Sequence, residues 1–133
     1  MVEMELSKIV IDEKRHDQLI VLKEKDGERL LPIVIGLNEA SAIKLKLSGF
    51  EPPRPLTHDL LHTTIKNLEA NLERVVIDKI EDNTFHAKLV LKHNGKSKTV
   101  DARPSDSIAL AVRAKAPIFV EDEVLKHSEV FGV

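Results

Sequence analysis

Phe85-His86-Ala87-Lys88-Leu89-Val90-Leu91-Lys92 is the stretch on which the fold class turns. Phe85, Ala87, Leu89 and Leu91 alternate with His86, Lys88, Val90 and Lys92, the period-2 pattern of a strand with one face on a core. Asn94-Gly95 follows, a dipeptide that accepts positive φ at both centres of a tight hairpin, and it leads into a second strand over Lys98–Ala102. Upstream, Val75–Ile80 reads as a strand ended by the turn Glu81-Asp82-Asn83.

The same grammar opens the chain. Val2, Met4 and Leu6 alternate with Glu3, Glu5 and Ser7 in a strand that continues toward Ile11. The run Leu19–Leu22, the turn Lys25-Asp26-Gly27-Glu28 and the strand Leu30–Ile35 form a second hairpin, stopped by Gly36. Pro32 cannot donate to a ladder, which predicts an edge strand or a bulge there. Helices are expected at about 39–48, capped by Asn38 and closed by Gly49, at 57–70, capped by Thr57, and at 105–115, capped by Ser105. The middle helix carries the stripe Leu60, Leu61, Thr64, Ile65, Leu68 and Leu72. Ile118–Val120 reads as a short buried strand, with a last helical turn over Glu121–Lys126.

Strand-strand-strand-helix therefore occurs twice. The expectation is one α+β domain over 1–133, with mixed or antiparallel sheets from two β-hairpin-plus-helix units, an order that an internal duplication would produce. A length of 133 residues and 42% hydrophobic content suit a single buried core.

Composition narrows the function classes. No apolar run approaches the ~18 residues of a membrane span, and the acidic, alternating N-terminus does not resemble a secretory signal, so a cytoplasmic protein without membrane contact is expected. The absence of cysteine removes disulfides, thiolate zinc sites and cysteine nucleophiles. Dense charge of both signs at 32% is a pattern met in thermophilic proteins. A net charge of -2 and 3% aromatic residues argue against avid general binding of nucleic acid, which rests on phosphate neutralisation and base stacking. Nucleic acid as a transient substrate is compatible with both.

Residues capable of chemistry gather in three connections: Gly36-Leu37-Asn38-Glu39, Arg54-Pro55-Leu56-Thr57-His58-Asp59 and Asp101-Ala102-Arg103-Pro104-Ser105-Asp106. Each places charge beside a helix N-terminus, where free backbone N–H groups favour anions. Asp59, Asp101 and Asp106, with Glu39, form a candidate carboxylate cluster for one or two divalent ions, Mg or Mn. The bland alternative has Asp106 complementing a helix dipole and Asp101 paired with Arg103 or Arg54.

His58 and His62, four apart, share a helix face suited to one metal; His58 is equally a candidate general base. Arg54 and Arg103 offer forked donors to a phosphate, or tie their loops to Asp59 and Asp106. Ser105 lacks the glycines of a nucleophile elbow and reads as a cap. Lys92, His93, Lys96 and Lys98 make a small basic patch around the second hairpin, a contact for a nucleic-acid backbone or simply a solvated tip.

The runs Leu31–Gly36, Pro53-Arg54-Pro55-Leu56-Thr57-His58-Asp59-Leu60-Leu61 and Val100-Asp101-Ala102-Arg103-Pro104-Ser105-Asp106-Ser107-Ile108-Ala109-Leu110-Ala111 resemble the signature blocks of the bifunctional nuclease family, formerly a domain of unknown function. The similarity runs in order over nearly the whole chain. It differs at Ser107, where members often carry Ala, and of the two histidines only His58 falls in a block.

The resemblance implies hydrolysis of DNA and RNA phosphodiester bonds and brings no agreed catalytic mechanism with it. The expectation is a nuclease with His58, Asp59, Asp101 and Asp106 as catalytic residues. Arg54 and Arg103 would bind phosphate, and Asp59, Asp101 and Asp106 a divalent ion. The competing expectation is a non-catalytic regulatory module that binds a ligand or a protein. Open sheet edges further predict a homodimer.

Overall fold

The computed structural model describes residues 1–12, 14 and 17–130, the last four of these by backbone alone. The order is β1 (Val2–Val10), β2 (Asp17–Glu24), β3 (Leu30–Gly36), α1 (Leu37–Leu47), α2 (Thr57–Asn67), β4 (Ala70–Glu81), β5 (Thr84–His93), β6 (Lys96–Ala102), α3 (Pro104–Ala114), β7 (Ile118–Val120) and α4 (Asp122–Val130). The strands form one seven-stranded sheet in the order β3-β2-β1-β7-β4-β5-β6. Two antiparallel meanders flank β7, which runs antiparallel to β1 and parallel to β4. The α+β expectation holds, with a single mixed sheet.

The period-2 stretch is β5, paired with β4 on one side and β6 on the other. Asn94 and Gly95 both take positive φ, 51° and 75°, as a tight β5–β6 turn requires. Asp82 and Asn83 do the same between β4 and β5, at 51° and 61°. Pro32 lies on β3, an edge strand, as its missing N–H demands.

Ile20, Leu22, Leu31, Val75, Ile77, Ile108 and Leu110 are fully buried in the core, each worth about 1.5–3 kcal/mol of burial. α3 is the central helix and packs on α1 and α2 as well as on β4 and β5. Its small residues Ser105, Ser107, Ala109 and Ala111 are buried, which lets its neighbours come close.

Several helix details differ from expectation. The N-cap positions are Gly36, Leu56 and Arg103, not Asn38, Thr57 and Ser105, and none of the three makes a side-chain cap. Pro104 takes the first position of α3, where its missing N–H costs nothing, and pushes Ser105 inside the first turn. α2 stops at Asn67, because Glu69 takes a φ of 62° and turns the chain into β4, which claims Leu72. Of the predicted α2 stripe only Ile65 and Leu72 are buried; Leu60 and Leu68 face outward, and Leu61 is left partly exposed.

A flat seven-stranded sheet would hold its edge strands about 29 Å apart, at ~4.8 Å per strand. Here the edges return toward each other. Residues from β3 and from the β6–α3 connection border one common hollow, and Arg103, just past β6, bonds Glu39, just past β3, at 2.8 Å. The curl of the sheet assembles the site.

Candidate active site

A cleft of about 900 Å³ opens between α1, α2 and the β6 edge. That volume lies in the range of pockets for small organic ligands, ~300–1,000 Å³. One wall is apolar, built by Ala42 and Leu45 of α1, Leu61 of α2, Leu89 of β5 and Val100 of β6. The other is polar, with Glu39, His58, Arg103 and Asp106. Each polar residue comes from the first turn or N-cap of a helix: Glu39 from α1, His58 from α2, Arg103 and Asp106 from α3.

These four form a continuous chain of bonds. His58 Nε2 lies 2.9 Å from Asp106 Oδ1. The second Asp106 oxygen accepts from Arg103 Nε at 2.9 Å, and Arg103 Nη2 donates to Glu39 Oε1 at 2.8 Å. An ionised carboxylate only accepts, so the His58 proton sits on Nε2 and Nδ1 carries the ring's lone pair. Hydrogen bonding and charge from Asp106, then from Glu39, hold Arg103 still more firmly protonated than an ordinary arginine. The His58 side chain is 12% exposed, while that of Arg103 is 66% exposed.

Asp59 departs from the expected cluster. It turns away from the cleft, to a hollow of about 310 Å³ that it shares with Arg113 and Lys46. Its Oδ1 accepts from Arg113 Nε at 2.7 Å and its Oδ2 from the Leu56 backbone N–H at 2.9 Å. Burial pushes its carboxyl upward, but the Leu56 N–H, Arg113 and, more weakly, Lys46 outweigh that and hold it below the usual carboxylate range. Arg113 also donates to the carbonyls of Ala109, at 2.8 Å, and Ala42, at 3.3 Å. One guanidinium thus joins α1, α2 and α3. Asp59 directly follows His58, so this joint fixes the rotation of α2 that points His58 at Asp106.

Asp101 borders the cleft, but its register partner is Lys88, while Val100 and Ala102 pair with Leu89 and Ala87. Alternation therefore places its side chain on the reverse face of β6 from the cleft. It pairs with neither Arg103 nor Arg54. Arg54 is exposed, makes no ion pair among the described residues, and stands next to Pro55 on the cleft border.

His62 does not join His58. Burial first, then the charges of Lys66, Lys46 and Arg113, lower its pKa against the pull of Asp59, and cations in that number repel a metal ion. Among the described residues no three His, Asp or Glu side chains group as metal ligands. Asp59, Asp101 and Asp106 in particular face three different ways.

Of the six residues expected to act together, the structure brings His58, Arg103 and Asp106 to one point, with Glu39 as partner, and sets Asp59, Asp101 and Arg54 apart from them. The sequence reading missed Arg113. The signal available was an arginine inside an otherwise Ala-, Leu- and Val-rich helix, where a charge survives burial only with partners.

Comparison with known proteins agrees with these blocks. A model of the bifunctional nuclease domain matches residues 20–132. An uncharacterized protein of Mycobacterium tuberculosis is 44% identical over 128 residues, covering 96% of this chain and 76% of the relative. Bifunctional nuclease 2 of Oryza sativa subsp. japonica is 32% identical over 114 residues, 83% of this chain and 35% of that protein. Bifunctional nuclease 1 of Arabidopsis thaliana is 30% identical over 114 residues, again 83% and 35%. The chain spans about a third of the length of these plant relatives. It belongs to the bifunctional nuclease domain family.

Proposed function

We propose that this domain cleaves phosphodiester bonds of nucleic acid in the cleft between α1, α2 and β6. The observation that carries the reading is the His58–Asp106 contact at 2.9 Å on the cleft wall, within a chain of the bifunctional nuclease family. Asp106 orients the imidazole through Nε2 and leaves Nδ1 open to the cleft, which fits His58 for moving a proton. Water attacks phosphorus and gives its proton to Nδ1 of His58. The bond from phosphorus to the leaving sugar oxygen breaks, and that oxygen takes a proton from the imidazolium. Arg103 stands beside the developing negative charge.

The charge count shapes the reading further. Arg103 is already shared by two carboxylates, so an incoming phosphate competes with Glu39 for it. Arg54, without a partner among the described residues, is the cation available from the rim. A Mg or Mn ion has no preformed set of three protein ligands here. An assisting ion would arrive with the substrate's own phosphate oxygens, as Mg²⁺ commonly does.

A second reading keeps its support. The mutual satisfaction of Arg103 with Glu39 and Asp106, and of Arg113 with Asp59, favours a non-catalytic binding module whose polar blocks are structural. The assay that separates the two uses highly purified protein on labelled DNA and RNA, in Mg²⁺, Mn²⁺ or EDTA, beside His58→Gln. Cleavage that falls by 10²–10⁴-fold in His58→Gln is the expected result, the usual size of an acid–base contribution. Equal rates for the two proteins, or none in the wild type, would leave the module. A homodimer belongs to the same proposal, supported by exposed Leu47, Phe50, Leu60 and Leu68, and light scattering at micromolar concentration tests it.

A further inference from the structure

β6 is an edge strand whose two faces differ in chemistry. Its register with β5 pairs Lys96 with His93, Lys98 with Leu91, Val100 with Leu89 and Ala102 with Ala87. These β6 residues share the cleft face, since Leu89 and Val100 line the cleft. Ser97, Thr99 and Asp101 take the reverse face.

Walking back from the cleft, Val100 is followed on the same face by Lys98 about 7 Å away and Lys96 about 13 Å away, at ~3.3 Å per residue. Both lysines are exposed and make no ion pair among the described residues. Lys88 and Lys92 lie on the reverse face, where Lys88 stands opposite Asp101. A row of free cations thus leads along the edge into a cleft whose polar wall holds Arg103 and His58. At its cleft end the row runs into the apolar wall, through Val100 and its partner Leu89, with Leu61 of α2 completing it.

We infer, building on the nuclease reading, that the substrate is an unpaired strand laid along the cleft face of β6. Lys96 and Lys98 meet successive backbone phosphates, and one base turns into the apolar wall. A base can enter such a wall only when it has left its stack and its partner, so a single strand is held better than a duplex. With no Phe, Tyr or Trp among the residues lining the cleft, grip comes mainly from aliphatic contact and few phosphates, and selectivity among bases is low. This agrees with an acidic protein that binds nucleic acid only in passing.

The test measures binding of a labelled 15-nucleotide single strand and of its duplex by fluorescence anisotropy across a salt series. All proteins carry His58→Gln, and gels verify an intact probe. Each phosphate neutralised on a single strand contributes ~0.7 to the slope of log K against log salt. Lys96→Ala with Lys98→Ala is expected to flatten the slope by about 1.4, and to weaken binding by about tenfold or more at 50 mM salt. Lys88→Ala with Lys92→Ala removes the same charge from the reverse face and is expected to leave the slope nearly unchanged.

Equal slopes lost by the two pairs, or a duplex bound as tightly as the single strand, would overturn the inference. The enzyme reading fails separately. Binding with this face dependence but no wild-type cleavage keeps the strand track and removes the nuclease, while cleavage indifferent to Lys96 and Lys98 does the reverse.

Discussion

Two arginines of this domain make the same kind of bond in opposite surroundings. Arg113 is 3% exposed and ties Asp59 and two helix carbonyls together in the interior. Arg103, 66% exposed, spans Glu39 and Asp106 at the mouth of a cleft. A buried pair cannot be released cheaply, because removing one partner strands a charge away from water. An exposed pair is worth little and exchanges partners with solvent or ligand. Identical chemistry therefore builds a joint at Arg113 and an exchangeable contact at Arg103, and burial decides which.

The largest effect should come from breaking the joint. Arg113→Met leaves Asp59 without its charged partner and is expected to cost about 3 kcal/mol, near the low end for buried pairs because Asp59 is partly exposed and keeps the Leu56 N–H. Thermal unfolding should drop by roughly 10 °C for a domain of this size.

A pH series sharpens the same point. The Asp59 carboxyl is held below its ordinary pKa, so its contribution is complete above the unfolded value near ~3.9 and fades as pH falls through the lower folded value. Wild type should therefore lose stability in acid. Arg113→Met, lacking the interaction, should show a shallower acid slope.

Next in size is a change at the exchangeable contact. Glu39→Gln removes one of the two carboxylates that occupy Arg103. It is expected to tighten single-strand binding by about two- to fivefold with little change in melting, the scale of an exposed pair. Weaker binding would mean that Glu39 positions Arg103 rather than competing for it.

A smaller effect belongs to His62. Its folded pKa is lowered, so the unfolded chain binds the proton more readily, and stability declines as pH falls below the unfolded value near ~6.5. His62→Gln should remove part of that decline between pH 7 and pH 5, read as melting temperature against pH. The least effect is expected at Asp101→Asn, within about twofold in cleavage, since alternation puts this side chain behind the cleft.

What could be read from residues alone follows from which forces are local. Strand alternation at Phe85–Leu91, the Asn94-Gly95 turn and the edge placement of Pro32 are local rules, and all hold. The caps at Asn38, Thr57 and Ser105 are also local guesses, yet each helix starts before its expected cap or at it, with Pro104 displacing Ser105. The stripe of α2 was legible as apolar but not as exposed, since exposure depends on what packs over it.

Of the site, the grouping of His58, Arg103 and Asp106 follows from family blocks at helix starts. The position of Glu39 depends on the curl that brings opposite edges of the sheet together, which no short window contains. Asp59 lay beside His58 in sequence, and one residue along a helix turned it by about 100°, onto Arg113 instead of into the cleft.

The most direct test sets two carboxylates of adjacent character side by side: cleavage of a labelled single strand by purified Asp106→Asn and Asp59→Asn, each with its melting temperature. Asp106→Asn should lower cleavage by 10²-fold or more, about the size of one acid–base contribution, with melting shifted by only a few degrees. Asp59→Asn should lose its melting temperature first and keep cleavage at temperatures where it is folded. A folded Asp106→Asn that cleaves at the wild-type rate would contradict the assignment of the cleft pair to function and of the buried pair to structure.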